Sequence, residues 1–217
     1  MTTPVFPREY ITALCDGHET CPGEDEMFQN VGIAAGLALL LNEAAFLSAQ
    51  PGIIPAAIKD FERRLEIWQP PLPPQGLSPK EAMDANDYFH SCSAWKAGLQ
   101  IYTSRVFRDT KASDPQMQFL VRQCLVNISS IMAKGVHKQL IWSLFIASSE
   151  IVVDEMKPFV RRIVAQIEAD VGCLFVRDVA ELLERLWRMR KEWDGEGGEV
   201  WWGDVLKVQQ GHNYLFG

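Results

Sequence analysis

Apolar residues recur at intervals of three and four along most of the chain, and no pair of alternating runs joined by Asn-Gly or Asp-Gly breaks that rhythm. The pattern predicts an all-α fold, a single domain of about seven to nine helices. The densest apolar run, VGIAAGLALLL at 31–41, has 11 residues. That is well short of the roughly 20 needed to cross a bilayer. It reads as a buried core segment within a helix over 25–49, which Gln50-Pro51-Gly52 ends because proline disfavours α geometry in the residue before it. Over 55–68, Ile58, Phe61, Leu65 and Trp68 form one apolar face, and Lys59, Glu62, Arg63 and Glu66 lie opposite.

A stiff proline-rich connector, QPPLPPQG near 69–77, separates this helix from the next. Ser78-Pro79-Lys80-Glu81 then offers Ser at N-cap, Pro at N1 and Glu at N3, a capping box opening a long helix over 79–108. Its inner face should carry Met83, Tyr88, Trp95, Leu99, Tyr102 and Val106. Asp114-Pro115 repeats the start signal for a helix to about 133, closed by Lys134-Gly135. Residues 138–148 contain LIWSLFIA, apolar nearly all round, which implies burial on every side. An amphipathic segment over 149–170 carries Pro158 as a potential kink. Residues 177–193 form a charged helix with Glu181–Arg185 and Glu184–Arg188 spaced i,i+4, and 200–208 a short last one. The expected division is a flexible segment at 1–24 and one helical domain at 25–217.

Composition narrows the function classes. With 217 residues, 47% of them apolar and 23% charged, the chain can bury roughly 70% of its unfolded surface, so disorder is excluded. The formal charge of −7 argues against direct nucleic-acid binding by this chain. Its five cysteines, odd in number and mostly inside apolar stretches, suit a reducing intracellular compartment. The N-terminal residues have no apolar signal core, and no membrane association is expected.

Candidate chemistry is sparse. Cys15, His18 and Cys21 form the most metal-like local cluster, but no second pair stands at zinc-finger spacing, and a loop explains Gly17, Pro22 and Gly23 equally well. His90 and Cys92 share the long helix with Trp95, without an identifiable base and orienting group for a nucleophile. Glu150, Asp154 and Glu155 look like a helix-start cluster, with Arg161 and Arg162 within reach of a solvated network. Phosphate loops, HExxH, GxSxG and Asp-rich diphosphate motifs are absent from the sequence, and no cofactor is implied.

Four segments occur in a distinctive order: AGLQIYTSRVF at 97–107, LIWSLFIASSE at 140–150, ELLERLWRMR at 181–190 and WWGDVL at 201–206. This order resembles the fungal-specific regulatory domain of zinc-cluster transcription factors, in the branch of the sterol-responsive regulators. The resemblance spans about 55–215. Ser143 stands where that family has proline and Ser148 where it has glycine. The zinc-cluster module and its basic linker are not in this sequence, so DNA binding does not carry over. The resemblance implies an intracellular domain, nuclear or cytoplasmic, helical and possible as a homodimer, cut from a larger regulator or encoded alone.

On that resemblance, the leading expectation is a regulatory domain that binds an apolar small molecule between the helix from Pro79 and the helix around Trp142. Helical phase nominates His90, Trp95, Tyr102, Trp142 and Phe145 as its lining. The alternative is a standalone, cofactor-independent biosynthetic cyclase or isomerase of a polyketide or terpenoid, with His90, Tyr102 and Glu150 in acid-base roles.

Overall fold

The computed structural model describes residues 34–50, 52, 55–70, 79–132, 140–171, 174–193 and 200–202. Among these, seven α helices follow one another without a strand: α1 Ala35–Ala49, α2 Pro55–Ile67, α3 Pro79–Arg108, α4 Pro115–Ser129, α5 Ile141–Ser149, α6 Lys157–Val171 and α7 Leu174–Trp193. A 3-10 turn, Asp154–Met156, precedes α6. The fold is all-α, as the periodicity requires. The proposed flexible segment, the capping Ser78, the Lys134-Gly135 stop and most of the last predicted helix lie outside the described residues.

α5 sits at the centre. All nine of its residues are buried, including Ser143, Ser148 and Ser149, because α3, α4 and α7 all pack against it. α3, spanning the predicted 79–108, is the other organising element. It buries Trp95, Leu99 and Tyr102 and leaves Tyr88 and Val106 partly covered. Its end turns at Asp109, whose φ of 49° lies in the left-handed region that Asp tolerates better than most residues. The Thr110 amide then donates back to the Ser104 carbonyl at 3.1 Å.

α1 and α2 form a pair laid against α3. Phe61 and Leu65 enter the core from α2, with Phe61 edge-on to Phe107 of α3 at 6.1 Å. Polar clamps hold the pair. Arg64 binds both carboxylate oxygens of Glu43, and Arg108 donates to Glu62 at 2.6 and 2.5 Å. The Lys96 ammonium donates to the Glu66 and Trp68 carbonyls at 2.8 and 2.7 Å, a cation at a helix C-terminus. α1 is less enclosed than its sequence implies: Leu37, Leu40 and Leu41 are buried, whereas Leu39 and Phe46 face outward.

α4 starts as predicted, with the Asp114 carboxylate accepting from the amides of Gln116 and Met117 at 2.8 and 3.2 Å. It stops at Ser129, four residues before the predicted end. The hydroxyls of Ser129 and Ser130 both donate to the Val126 carbonyl, which also accepts the Ser130 amide at 3.1 Å where the helix ends. The Met132 amide is then taken by Asp87 of α3 at 2.9 Å.

The segment expected over 149–170 divides. α5 runs through Ser149, an irregular stretch follows, and α6 begins at Lys157, so Pro158 occupies a first turn, where it is tolerated, and kinks nothing. α6 and α7 pack together, with Val160, Ile163, Val164 and Ile167 of the one and Val179, Leu182, Leu183 and Leu186 of the other buried in the core. Arg161 donates to Glu184 across this pair at 2.6 and 2.9 Å, so Glu184 finds its main partner on α6 rather than along its own helix.

Candidate functional site

Trp95 and Tyr102 lie two turns apart on α3, and Trp142 and Phe145 lie one turn apart on α5. The indole of Trp95 stacks on that of Trp142 with centroids 5.0 Å apart and planes 13° from parallel. Tyr102 follows at 6.1 Å from Trp142. Trp202 completes the cluster, 6.2 Å from Tyr102 and edge-on to Phe145 at 6.0 Å. These five side chains are no more than 6% exposed. The close approach depends on Gly98, midway between Trp95 and Tyr102. A Cβ there would stand 3.1 Å from Ser143 Oγ and 3.2 Å from Trp142 Cζ3.

The polar inventory of the cluster is lopsided. Tyr102 donates to Ser48 Oγ at 3.4 Å, Ser48 donates to the Ala45 carbonyl at 2.8 Å, and burial pushes the phenol's pKa up. By contrast, the indole N–H groups of Trp95, Trp142 and Trp202 and the Ser143 hydroxyl are buried with no hydrogen-bond partner among the described residues. An unpaired buried donor costs about 1–3 kcal/mol. The fold can supply an acceptor to a buried indole elsewhere: Trp187 Nε1 donates to the Ser148 carbonyl at 2.9 Å.

His90 does not join this group. It lies 12 residues before Tyr102 on α3, a separation of about 18 Å along a helix. Its Nδ1 is 2.8 Å from Asn127 Oδ1 of α4, and Phe89 meets its ring edge-on. At 3.6 residues per turn His90 also lies roughly 120–140° round α3 from Tyr102 and Trp95, where it meets α4.

Glu150 is likewise removed from the role its sequence neighbourhood suggested. It is 0% exposed and closes α5 instead of opening a solvated helix. Arg105 Nε donates to Glu150 Oε1 at 3.1 Å, and Arg190 lies 3.5 Å from Oε2. Arg190 also donates to the Ser149 carbonyl and, at 2.9 Å, to that of Val200. Gln118 bridges the Ala112 and Glu150 carbonyls at 2.6 and 2.7 Å. Asp154, by contrast, is exposed and paired with Lys157 at 2.5 Å, which holds its carboxyl below the usual range. The acid-base trio of His90, Tyr102 and Glu150 is therefore not assembled in one place: His90 is remote, and Glu150 is enclosed by arginines.

The metal candidates Cys15, His18 and Cys21 lie outside the described residues. Among the described residues, no group of three His, Cys, Asp or Glu side chains is placed to hold a metal ion. Cys124 is fully buried, its thiol directed at the carbonyls of Ala94 and Ser143 at 3.4 and 3.6 Å. Burial pushes its pKa up, opposite to what a nucleophile needs. No described helix is long and apolar enough to cross a membrane.

Sequence reasoning missed Trp202, Arg105 and Arg190 as parts of these assemblies, although each sits inside one of the four ordered segments. The structure brings those segments together. Arg105 comes from 97–107, Glu150 from 140–150, Arg190 from 181–190 and Trp202 from 201–206; their contacts make one buried ionic hub and one aromatic cluster. No curated protein and no solved structure matches the chain. The sequence pattern of the fungal specific transcription factor domain matches residues 4–217, nearly the whole length. The chain belongs to that family, with the regulatory role in transcription that its description names.

Proposed function

We propose that this domain is an effector sensor, in which an apolar small molecule binds at the aromatic cluster of Trp95, Tyr102, Trp142, Phe145 and Trp202. Family membership supplies the coarser statement, a regulator of transcription acting inside the cell. The observation that carries the finer one is the gathering of five buried aromatic side chains from α3, α5 and residues 200–202, with several polar atoms that have no hydrogen-bond partner among the described residues. Binding sites for apolar ligands have this make-up: aromatic walls and a few polar groups that fix orientation.

The mechanism follows from where the cluster lies. A ligand seated among these rings touches three separate chain segments, so it favours one arrangement of them over others in proportion to its differential affinity. Arg190, which holds Val200 through its carbonyl, sets the position from which Trp202 reaches Tyr102 and Phe145. The signal would pass to DNA through a module other than this acidic body.

Hydrogen–deuterium exchange on the full chain, with and without a panel of macrocyclic and steroidal ketones, tests the reading. Slower exchange is expected in peptides spanning 95–102, 140–149 and 200–202. Unchanged exchange there with every compound, or protection confined to α1 and α2, would count against it.

A further inference from the structure

Resting on the proposed ligand site, a second question is what polar chemistry its occupant carries. The indole nitrogens of Trp95, Trp142 and Trp202 are neutral, donor-only groups, each nine-tenths or more buried. None has an acceptor among the described residues. Ser143 of α5, against Gly98 of α3, adds a buried hydroxyl without a partner among the described residues. The Tyr102 phenol of the cluster already directs its proton to Ser48.

We infer that the site selects a neutral, oxygen-bearing apolar molecule such as a ketone, lactone or ether, whose oxygen accepts from one or more of these indole N–H groups. A hydrocarbon bound there would leave the donors unpaired. An amine or ammonium would bring more donors to a surface already rich in them. A carboxylate would lose its hydration shell, and neutral indoles compensate that poorly. The selection is therefore for an acceptor without charge.

The test compares cyclododecanone with cyclododecane, a pair matched in ring size and differing by one carbonyl. Full-length protein labelled with 15N at the indole nitrogens is titrated with each, and resonances are assigned with Trp95→Phe, Trp142→Phe and Trp202→Phe. The ketone is expected to bind about five- to tenfold more tightly, the scale of one neutral hydrogen bond. It should also move at least one of the three indole N–H signals downfield. The preference should shrink in at least one of the three variants, each of which keeps an aromatic ring. Equal affinity for ketone and hydrocarbon at the cluster would overturn the inference and leave the ligand site standing. If neither compound perturbs any of the three signals, both fall. The wild-type comparison does not depend on any variant folding.

Discussion

Arg105 and Glu150 form an ion pair 3.1 Å long between side chains that are 4% and 0% exposed, joining the C-terminal end of α3 to the end of α5. Arg190 of α7 approaches the same carboxylate from its other oxygen. Three helices thus meet on one carboxylate, and the ends of three of the four ordered sequence segments have a physical reason to carry charge. Removing one partner of a buried pair strands the other, at a cost of about 3–5 kcal/mol. Glu150→Ala should lower the unfolding free energy by that amount in urea titrations. A loss under about 1 kcal/mol, as for an exposed pair, would remove the hub from the structure's foundations.

Gly98→Ala tests the α3–α5 contact. Alanine alone would favour the helix by about 1 kcal/mol. Its Cβ, however, meets Ser143 and Trp142 at 3.1–3.2 Å, and α5 is walled in and has little room to yield. The expected net change is a destabilisation of about 1–3 kcal/mol, typical of overpacking. A stabilised variant in thermal melts would show that the two helices are not so closely seated.

Cys124 should resist chemistry while the fold is intact. Its thiol is buried and its pKa is raised by that burial, so little thiolate forms at neutral pH. Peptide mapping after iodoacetamide treatment should find Cys124 unmodified in buffer and alkylated in denaturant. Rapid alkylation under native conditions would place it near solvent.

Acid should weaken the fold modestly. Asp60, Asp154 and Glu184 are held below their ordinary pKa by Arg63 and Arg64, by Lys157 and by Arg161, respectively. Their folded pKa values lie below the unfolded ones, so the contribution is present above the unfolded values and is lost as pH falls through the folded ones. Melting temperature should therefore decline from about pH 5 downward. Because these groups are largely exposed, the decline should be smaller at about 0.5 M salt. A decline indifferent to salt would point to buried carboxylates instead.

Local signals in the sequence located α3 and the start of α4 with accuracy, because Pro79 and Asp114-Pro115 act through backbone geometry that needs no distant partner. The burial of α5 was equally plain, since a helix without a polar face has nowhere to go but inside. What stayed hidden depends on contacts far along the chain. Glu150 meets Arg105 and Arg190 across 45 and 40 residues, so its local company of Asp154 and Glu155 suggested the wrong surroundings. His90 meets Asn127 of α4 from a position roughly 120° round α3 from Tyr102, so sharing that helix does not bring it into the aromatic cluster. Trp202 belonged to a motif whose order was legible and whose destination was not.

The proposed ligand site is tested most directly by photolabelling the full chain with a diazirine-bearing macrocyclic ketone and mapping the adducts by mass spectrometry. Saturable labelling that the unlabelled ketone competes away, concentrated at Trp95, Tyr102, Trp142, Phe145 and Trp202, is the expected result. Labelling that does not saturate, or that falls on the exposed Phe46, Phe119 and Met132 instead, would contradict a ligand site at the aromatic cluster.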